Sequence, residues 1–349
     1  MPFHSLTVAG VEQLTPDSAA VTFAVPADLR DAYAFKAGQW LTLRRDIGGT
    51  EHRRSYSICA PVGAAPRVGV REVPGGLFSS WLVRDLAVGD TVEVATPAGS
   101  FQADPSVAGR HLCIAAGSGI TPVLSIAASA LVNPSSQVTL LYGNRKTGTV
   151  MFAEELADLK NRYPDRLELV HVLSREPRDV ELFSGRLDAG RLRRLLTLLV
   201  PLRSIDHVWL CGPFGLLTDA RAVLDELGFP SERVHFELFF VDEPPPEVRR
   251  AEAVTDGRTS DVTIVLDGRT TIAAMPQDKS ILDAAAATRG DLPFACKGGV
   301  CGTCRAHLTE GEVDMRRNYA LSEDEVRRGF VLTCQSRPVS AAVTVDFDA

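Results

Sequence analysis

The segment Cys296-Lys297-Gly298-Gly299-Val300-Cys301-Gly302-Thr303-Cys304 holds three of the chain's seven cysteines, and Cys334 follows closer to the C-terminus. The spacing Cys-x4-Cys-x2-Cys with a distant fourth cysteine is typical of the thiolate ligands of a [2Fe–2S] cluster. The glycines allow the backbone to pass close to a cluster and to direct N–H groups at its sulfurs. A structural zinc site is the alternative, but such sites favour paired Cys-x2-Cys knuckles, and only one is present. We therefore predict that Cys296, Cys301, Cys304 and Cys334 are the metal ligands.

Around this loop the sequence predicts a small α+β domain over residues 259–349. Thr263–Leu266 and Thr270–Ile272 have the pattern of a β-hairpin, and Ile281–Ala287 has that of a helix. A short helix is predicted at Glu323–Arg327. Residues 242–258, which include three consecutive prolines, are predicted to be a stiff linker.

Two further domains are predicted upstream of the linker. Residues 1–105 contain short alternating strands separated by Gly and Pro, a pattern typical of an antiparallel β-barrel or sandwich, with one helix from Ser79 to about Leu86. Residues 106–241 alternate apolar strands with helices, which predicts a parallel sheet covered on both faces. The predicted helices of this second domain are Pro122–Leu131, Met151–Arg162, Ala189–Leu199 and Phe214–Leu227.

Two glycine turns follow strands of the predicted parallel sheet. Gly117-Ser118-Gly119-Ile120-Thr121-Pro122 leads from a strand into a helix, where backbone N–H groups and the helix N-terminus can bind a phosphate. Cys211-Gly212-Pro213 ends a later strand, and ligands of open α/β sheets bind at the carboxyl ends of the strands. Taken alone, the first turn could be an ordinary tight connection, and Cys211 could be an ordinary core cysteine.

Two shorter motifs lie in the predicted barrel. Arg54-Ser55-Tyr56-Ser57 combines an arginine that can bind a phosphate with an aromatic ring that can stack on a planar ligand. Gly76-Leu77-Phe78-Ser79 opens a helix, with Ser79 predicted as its N-cap and Gly76 allowing a phosphate to approach the backbone. The alternatives are an amphipathic strand and a simple helix cap.

In this order, the four motifs resemble the ferredoxin–NADP reductase superfamily. The segment from Ile281 to Cys304 resembles plant-type ferredoxins, whose fold is a β-grasp. The resemblance implies a set of FAD-binding residues: Arg54, Gly76 and Ser79 at the diphosphate, Tyr56 and Phe239 at the isoalloxazine, and Ser57 near flavin N5. It implies a set of nucleotide-binding residues: Gly117, Ser118, Gly119, Thr121 and Gly212, with Cys211 beside the nicotinamide and Glu237 close by. Ser57, Cys211 and Glu237 are then the candidate catalytic residues.

The second and third strands of the parallel sheet end in residues suited to a 2′-phosphate. Arg145 follows the second strand, and Ser174 and Arg175 follow the third. No acidic residue stands at these positions to bind a ribose diol, so we predict NADPH as the electron donor, with NADH possible. The alternative is that both arginines are solvated surface residues.

Besides the motifs above, the chain contains His4-Ser5-Leu6-Thr7-Val8, Arg53–Cys59, Tyr142-Gly143-Asn144-Arg145, Asn318-Tyr319 and Val345-Asp346-Phe347-Asp348. With these segments it resembles, from end to end, the reductase subunits of phenylacetyl-CoA epoxidases. That resemblance implies a flavoprotein oxidoreductase of phenylacetate catabolism, which passes electrons from NADPH through FAD and [2Fe–2S] to diiron oxygenase subunits. Oxygen chemistry belongs to the partner, because no diiron-type Glu-x-x-His pair is present. Two alternatives stay open: a reductase for another oxygenase, such as a steroid or alkane hydroxylase, and a redox carrier or sensor that does not turn over nucleotide.

The composition predicts neither nucleic-acid binding nor membrane association. The formal net charge is −7, and no basic patch stands out. The longest apolar run, Leu195–Leu202, is too short to cross a bilayer, and Met1–Gly10 lacks the pattern of a secretory signal. These features predict a cytoplasmic enzyme.

Overall fold

Short alternating runs near the N-terminus form a six-stranded antiparallel sheet in the computed structural model, which describes residues 2–240, 259–266, 268–286, 292–294 and 296–349. The strands are β1 (Phe3–Thr15), β2 (Ser18–Ala24), β3 (Trp40–Ile47), β4 (Thr50–Ser57), β5 (Arg67–Arg71) and β6 (Thr91–Ala95). Their order is β4-β3-β6-β1-β2-β5. A single antiparallel bridge between Ile58 and Val68 joins the two outer strands, which closes the sheet into a barrel. Helix α1 (Leu77–Arg84) follows β5.

A five-stranded parallel sheet follows within the same compact unit, Met1–Asp242. Its strands are β7 (Arg110–Ala116), β8 (Gln137–Asn144), β9 (Leu167–Leu173), β10 (His207–Pro213) and β11 (Val234–Phe240), and its helices are α2 (Ile120–Ala130), α3 (Ala153–Arg162), α4 (Ala189–Leu199) and α5 (Phe214–Glu226). The order β11-β10-β7-β8-β9 places the first strand in the centre. The carboxyl ends of all five strands therefore meet at one edge, the edge that carries both glycine turns.

Local backbone geometry moves two of the predicted helix starts. The helix predicted from Pro122 begins at Ile120, directly after a 3₁₀ turn over Gly117–Gly119. The helix predicted from Met151 begins at Ala153, because Phe152 takes a left-handed conformation with φ of 58° at the N-cap. Such a backbone is costly for a non-glycine residue, and Phe152 holds it with its side chain buried in the core.

The second compact unit, Glu243–Ala349, has the predicted α+β architecture of a β-grasp domain. Its described elements are β12 (Thr259–Leu266), β13 (Arg269–Pro276), β14 (Arg305–Glu310), β15 (Val313–Met315), β16 (Phe330–Leu332), β17 (Ser336–Pro338), β18 (Ala342–Asp346), α6 (Ile281–Ala285) and α7 (Glu323–Arg327). The main sheet has the mixed order β13-β12-β18-β14-β16. The predicted linker over 242–258 and the predicted helix end at Ala287 lie outside the described residues. Among the residues described, no helix is both long and apolar enough to span a membrane.

Three histidines and a tryptophan pack together at the amino ends of the parallel strands, opposite the glycine turns. Trp209 donates from Nε1 to Nδ1 of His111 at 3.2 Å and stacks on His235 with ring centroids 4.2 Å apart. His207 Nδ1 lies 3.2 Å from His235 Nε2. Burial, reinforced by the charge of His207, lowers the pKa values of His111 and His235 to about 4, although Asp206 opposes the shift at His111.

We expect this cluster to make the first unit sensitive to acid. Between pH 6.5 and about 4 the unfolded chain binds protons at His111 and His235 that the folded chain does not bind, so stability falls as the pH falls. His111→Asn keeps an acceptor for Trp209 but cannot ionise. Between pH 7.5 and 5 we expect the free energy of unfolding to fall in the wild type, and to fall by on the order of 1–2 kcal/mol less in His111→Asn. Urea unfolding followed by tryptophan fluorescence measures this, and an unchanged loss would contradict it.

Candidate functional site

Three predicted catalytic residues from distant parts of the chain lie together at the barrel–sheet boundary. The hydroxyl of Ser57, at the end of β4, donates to Oε2 of Glu237 on β11 at 3.2 Å. Cys211 stands opposite Glu237 in the parallel pairing of β10 and β11. Ser57 and Cys211 are both buried. The structure thus joins a barrel strand to the carboxyl edge of the parallel sheet through the side chains that were predicted to flank a flavin and a nicotinamide.

The pKa of the Glu237 carboxyl group is shifted upward, which favours its neutral form at pH 7. Burial raises its pKa to about 8, and the hydrogen bond from Ser57 only partly opposes the shift. Glu237 as a whole is half-buried. Burial, and then the nearby Glu237, also raise the pKa of the Cys211 thiol. Glu237 and Cys211 are therefore two groups that favour their uncharged forms side by side at the strand ends, and Cys211 has no exposed surface.

Deprotonation of Glu237 as the pH rises through about 8 would place a negative charge beside Ser57 and Cys211, which the resemblance puts next to the flavin and the nicotinamide. We expect the rate of flavin reduction by nicotinamide nucleotide to fall over pH 7–9 with an apparent pKa near 8. Glu237→Gln should flatten this profile because the amide stays neutral. Glu226→Gln, which alters only a surface ion pair with Arg193, should keep the wild-type bend. A bend that persists in Glu237→Gln would refute the assignment.

The two glycine turns touch each other through their backbones. A Cβ on Gly119 would lie 2.2 Å from the carbonyl oxygen of Cys211, so only glycine allows this approach. Gly117 has φ of +55°, in the left-handed region that favours glycine. Thr121 is fully buried, and its hydroxyl donates to the carbonyl of Ser118 at 3.0 Å. Thr121 therefore stabilises the turn, in which Gly117 and Ser118 keep some exposed surface and Gly119 is buried.

The predicted flavin residues lie on β4 and at the start of α1. Tyr56 is half-buried and stacks on Phe78 with ring centroids 6.3 Å apart. Arg54 is exposed, and one of its guanidinium N–H groups donates to the carbonyl of Arg53 at 2.6 Å. Phe239 is half-buried against the core of the parallel-sheet domain. An exposed guanidinium and two aromatic rings with accessible surface fit an FAD diphosphate and ring system.

The expectation that Ser79 caps α1 is wrong. The helix begins at Leu77, and Gly76 is its N-cap. Ser79 lies inside the first turn, where its hydroxyl accepts from the N–H of Val73 at 3.0 Å and donates to the carbonyl of Gly76 at 3.3 Å. A Cβ on Gly76 would lie 2.7 Å from that hydroxyl oxygen. Ser79 therefore fixes the shape of the turn, and the backbone of the turn remains available to a phosphate.

The residues predicted at a 2′-phosphate are neighbours at the ends of β8 and β9. The backbone N–H of Ser174 donates to the backbone carbonyl of Asn144, and that of Arg175 donates to the backbone carbonyl of Arg145, both at 2.8 Å. The side chains of Arg145 and Arg175 are exposed. Both carboxylate oxygens of the following Glu176 accept hydrogen bonds from Thr147, at 2.8 and 2.6 Å. The nearest acidic group in sequence is thus already hydrogen-bonded within the protein.

Sequence reasoning missed two residues that contact the first glycine turn. Tyr142 is completely buried, and its hydroxyl donates to the carbonyl of Gly117 at 2.9 Å. Arg71, at the end of β5, donates to the carbonyl of Thr149 at 2.5 Å, and its Nη1 lies 3.3 Å from the position of a Cβ on Gly117. The sequence shows Arg71 at the end of a barrel strand, just before Gly75-Gly76, and this position could have marked it as a candidate. Its approach to Gly117 is visible only in the tertiary fold.

The four predicted ligand cysteines are arranged as two pairs. Cys296 and Cys301 influence the pKa of each other, and so do Cys304 and Cys334. Their donors are the N–H groups of Gly298 and Cys301 to Cys296 at 3.3 and 3.4 Å, the hydroxyl of Thr303 to Cys301 at 3.1 Å, and Gln335 Nε2 to Cys334 at 3.6 Å. The Cys301 thiol and these N–H groups lower the pKa of Cys296.

Two thiol pairs surrounded by donors fit the two irons of a [2Fe–2S] cluster, which takes four cysteine ligands. Gly299 and Gly302 have φ of +78° and +69°, and a Cβ on Gly299 would lie 3.1 Å from the carbonyl oxygen of Arg317. The loop can therefore wrap tightly around a cluster. Within the parts of the chain that the structure describes, no three His, Cys, Asp or Glu side chains converge to hold a single metal ion.

Comparison with family models assigns all three segments. Residues 5–103 match an oxidoreductase FAD-binding domain, residues 113–222 an oxidoreductase NAD-binding domain, and residues 264–339 a 2Fe-2S iron-sulfur cluster binding domain. FAD, a nicotinamide nucleotide and a [2Fe–2S] cluster are therefore the cofactors of this chain. The first two segments lie in the first compact unit, and the third lies in the second.

Curated and solved relatives match along the whole chain. One of the subunits of 1,2-phenylacetyl-CoA epoxidase from Escherichia coli K12 is 45% identical, with 99% of this chain and 98% of the relative covered. The ferredoxin reductase component of 3-ketosteroid-9-alpha-monooxygenase from Rhodococcus rhodochrous is 36% identical, with 98% and 96% covered. The structure of a phthalate dioxygenase reductase, a modular protein for electron transfer from pyridine nucleotides to [2Fe–2S], aligns with a TM-score of 0.62 at 25% identity, covering 99% and 98%. The chain belongs to the family of NAD(P)H-dependent, FAD- and [2Fe–2S]-containing oxidoreductases that serve as reductase components of oxygenases.

Proposed function

We propose that this protein passes electrons from NADPH, through FAD and its [2Fe–2S] cluster, to the diiron oxygenase subunits of a phenylacetyl-CoA epoxidase. The observation that carries the reductase chemistry is the meeting of Ser57, Cys211 and Glu237 at the barrel–sheet boundary. The identity of 45% over nearly the whole chain to a protein of the Escherichia coli epoxidase supports the choice of partner. We place the reaction in the cytoplasm, where thiols stay reduced.

FAD held by Arg54, Tyr56 and Gly76 would supply the conversion of a two-electron hydride transfer into single-electron steps to the cluster. We assign Ser57, Cys211 and Glu237 to orienting the nicotinamide against the flavin. All three are neutral hydrogen-bonding groups there, so they can fix a carboxamide and a flavin edge without adding a charge. The close approach of the Gly119 backbone to that of Cys211 would hold the dinucleotide-binding turn beside these three residues.

We assign the cluster to Cys296 and Cys301 on one iron and to Cys304 and Cys334 on the other, following the two thiol pairs. The N–H donors of Gly298 and Cys301 would stabilise negative charge on the sulfur of Cys296. Cys296 is exposed, whereas Cys304 and Cys334 are buried, so the first pair lies nearer to solvent and to an incoming partner.

The partner assignment is tested by reconstitution. Purified protein is mixed with the oxygenase subunits of the Escherichia coli epoxidase, NADPH, oxygen and phenylacetyl-CoA, and the product formed per NADPH consumed is measured. We expect a ratio near one. Rapid NADPH oxidation without product would keep the reductase activity and reject the partner. The second candidate would then be a steroid monooxygenase, which the identity of 36% to a 3-ketosteroid-9-alpha-monooxygenase reductase favours.

Arg175 is our candidate for selecting NADPH over NADH. Its neighbour Arg145 lies directly beside it, so the two exposed guanidinium groups can bind one 2′-phosphate. We expect Arg175→Ala to raise the KM for NADPH about tenfold and to leave the KM for NADH unchanged. Arg162→Ala, an exposed arginine on α3, is the control. Equal KM values for the two nucleotides in wild type and in Arg175→Ala would reject this assignment.

A further inference from the structure

The side chain of Asn144 is buried without a hydrogen-bond partner. The residue ends β8, at the edge of the sheet that carries the glycine turns, and it is only 7% exposed. Neither its amide nitrogen nor its amide oxygen makes a hydrogen bond of normal geometry within the protein, although the amide interacts with the hydroxyl of Tyr142. Buried polar atoms in native proteins are nearly always paired, so an amide with two unpaired atoms points to a group that the protein alone does not supply.

The surroundings of Asn144 place it beside the dinucleotide seat. Strand alternation puts its side chain on the same face as Tyr142, whose hydroxyl binds the carbonyl of Gly117. Arg71 approaches Gly117 from the barrel, with its Nη1 3.3 Å from the position of a Cβ on Gly117. Its Nε lies 3.4 Å from a carboxylate oxygen of Asp17, so this guanidinium is already ion-paired. The amide of Asn144 therefore lies on the same face of the sheet as a residue that contacts this glycine turn.

The order of the strands indicates which part of a dinucleotide reaches Asn144. The phosphate-binding turn Gly117–Gly119 follows β7, and Ser174 and Arg175 follow β9, with β8 between them. In a nicotinamide dinucleotide the adenosine ribose links the diphosphate to the 2′ position. A ligand with its diphosphate at β7 and its 2′ substituent at β9 therefore has this ribose at the end of β8.

The chemistry of the amide fits a ribose hydroxyl. Such a hydroxyl both donates and accepts, and the amide of Asn144 offers one unpaired acceptor and unpaired N–H donors. A phosphate oxygen only accepts, so it would leave the amide oxygen of Asn144 without a partner. Building on the proposed use of NAD(P)H, we propose that Asn144 binds the adenosine ribose of the nicotinamide dinucleotide through both atoms of its amide.

The test compares substrates with and without the adenosine half. The holoenzyme is assayed for ferricyanide reduction with NADH, NADPH and reduced nicotinamide mononucleotide. Asn144→Leu removes both polar atoms at similar volume, and Asn144→Ala is a second variant in case leucine does not fit. We expect each to raise the KM for both dinucleotides at least about tenfold with kcat nearly unchanged. The kcat/KM for the mononucleotide and the FAD content should stay at wild-type values.

Thr139→Val, on the same strand but toward its amino end, is the matched control and should leave all KM values unchanged. An unchanged KM for the dinucleotides in both Asn144 variants overturns the proposal, as does an equal loss with the mononucleotide. Loss of FAD from both variants also overturns it, because the amide would then serve the flavin or the fold. If wild-type protein containing flavin oxidises neither dinucleotide, the proposed function itself fails, and this inference falls with it.

Discussion

Cys334→Ser is expected to reduce electron transfer to the oxygenase by at least about 100-fold while NAD(P)H-dependent ferricyanide reduction stays within about twofold. Cys334 is paired with Cys304 in the buried half of the cysteine site. A neutral serine hydroxyl is a harder and weaker ligand than a thiolate, so the cluster loses one of its four attachments. The flavin and nucleotide sites lie in the other compact unit and keep their residues, so a flavin-level acceptor is still reduced.

The measurements for Cys334→Ser are iron and sulfide content, product formation with the oxygenase subunits, and ferricyanide reduction on the same preparation. Cys113→Ala is the control, because Cys113 is a buried core cysteine of the parallel sheet and lies outside the cysteine site. It should keep full iron and both activities. A Cys334→Ser protein with full iron content and undiminished transfer to the oxygenase would show that Cys334 is not a ligand.

Gly119→Ala is expected to slow flavin reduction by NAD(P)H about 100-fold. The added Cβ would lie 2.2 Å from the carbonyl oxygen and 2.5 Å from the carbonyl carbon of Cys211. Both are backbone atoms, so a rotamer change cannot relieve the clash and the two turns must separate. A displacement of about 1 Å in a reacting geometry is enough for a loss of this size.

Stopped-flow absorbance at the flavin band measures this rate, and FAD and iron contents show whether the variant is folded. Gly215→Ala is the matched control, because a Cβ there meets no atom within 4 Å although Gly215 lies only a few residues after Cys211. It should reduce flavin at the wild-type rate. A wild-type rate in folded Gly119→Ala would mean that the close approach of the two turns is not needed for hydride transfer.

Features encoded in consecutive residues were predictable from the sequence. Helix α4 has the predicted bounds because Asp188 accepts a hydrogen bond from the N–H of Arg191 and so fixes its start. The cysteine loop is a local motif whose spacing alone indicates the cluster, and the family match to a 2Fe-2S domain confirms that cofactor. Alternating apolar runs likewise indicated the barrel and the parallel sheet, since each has its own periodicity.

Features that depend on distant contacts were not predictable. Nothing near Ser57 in sequence indicates its hydrogen bond to Glu237, which lies 180 residues away. The approach of Arg71 to Gly117 likewise requires the barrel to dock on the sheet. Local turn chemistry was the other source of error. Ser79 suits an N-cap, but its hydroxyl binds the preceding turn, so the helix begins earlier at Leu77.

Electron flow from a nicotinamide nucleotide to the iron–sulfur cluster of the same chain is the central claim. Anaerobic mixing of the oxidised holoenzyme with NADPH, followed by freeze-quench electron paramagnetic resonance and flavin absorbance on the same time points, tests it directly. We predict that the signal of the reduced cluster appears as fast as the enzyme turns over, and that it is absent from Cys334→Ser. Full reduction of the flavin with a cluster that stays oxidised through many turnover times would contradict this route.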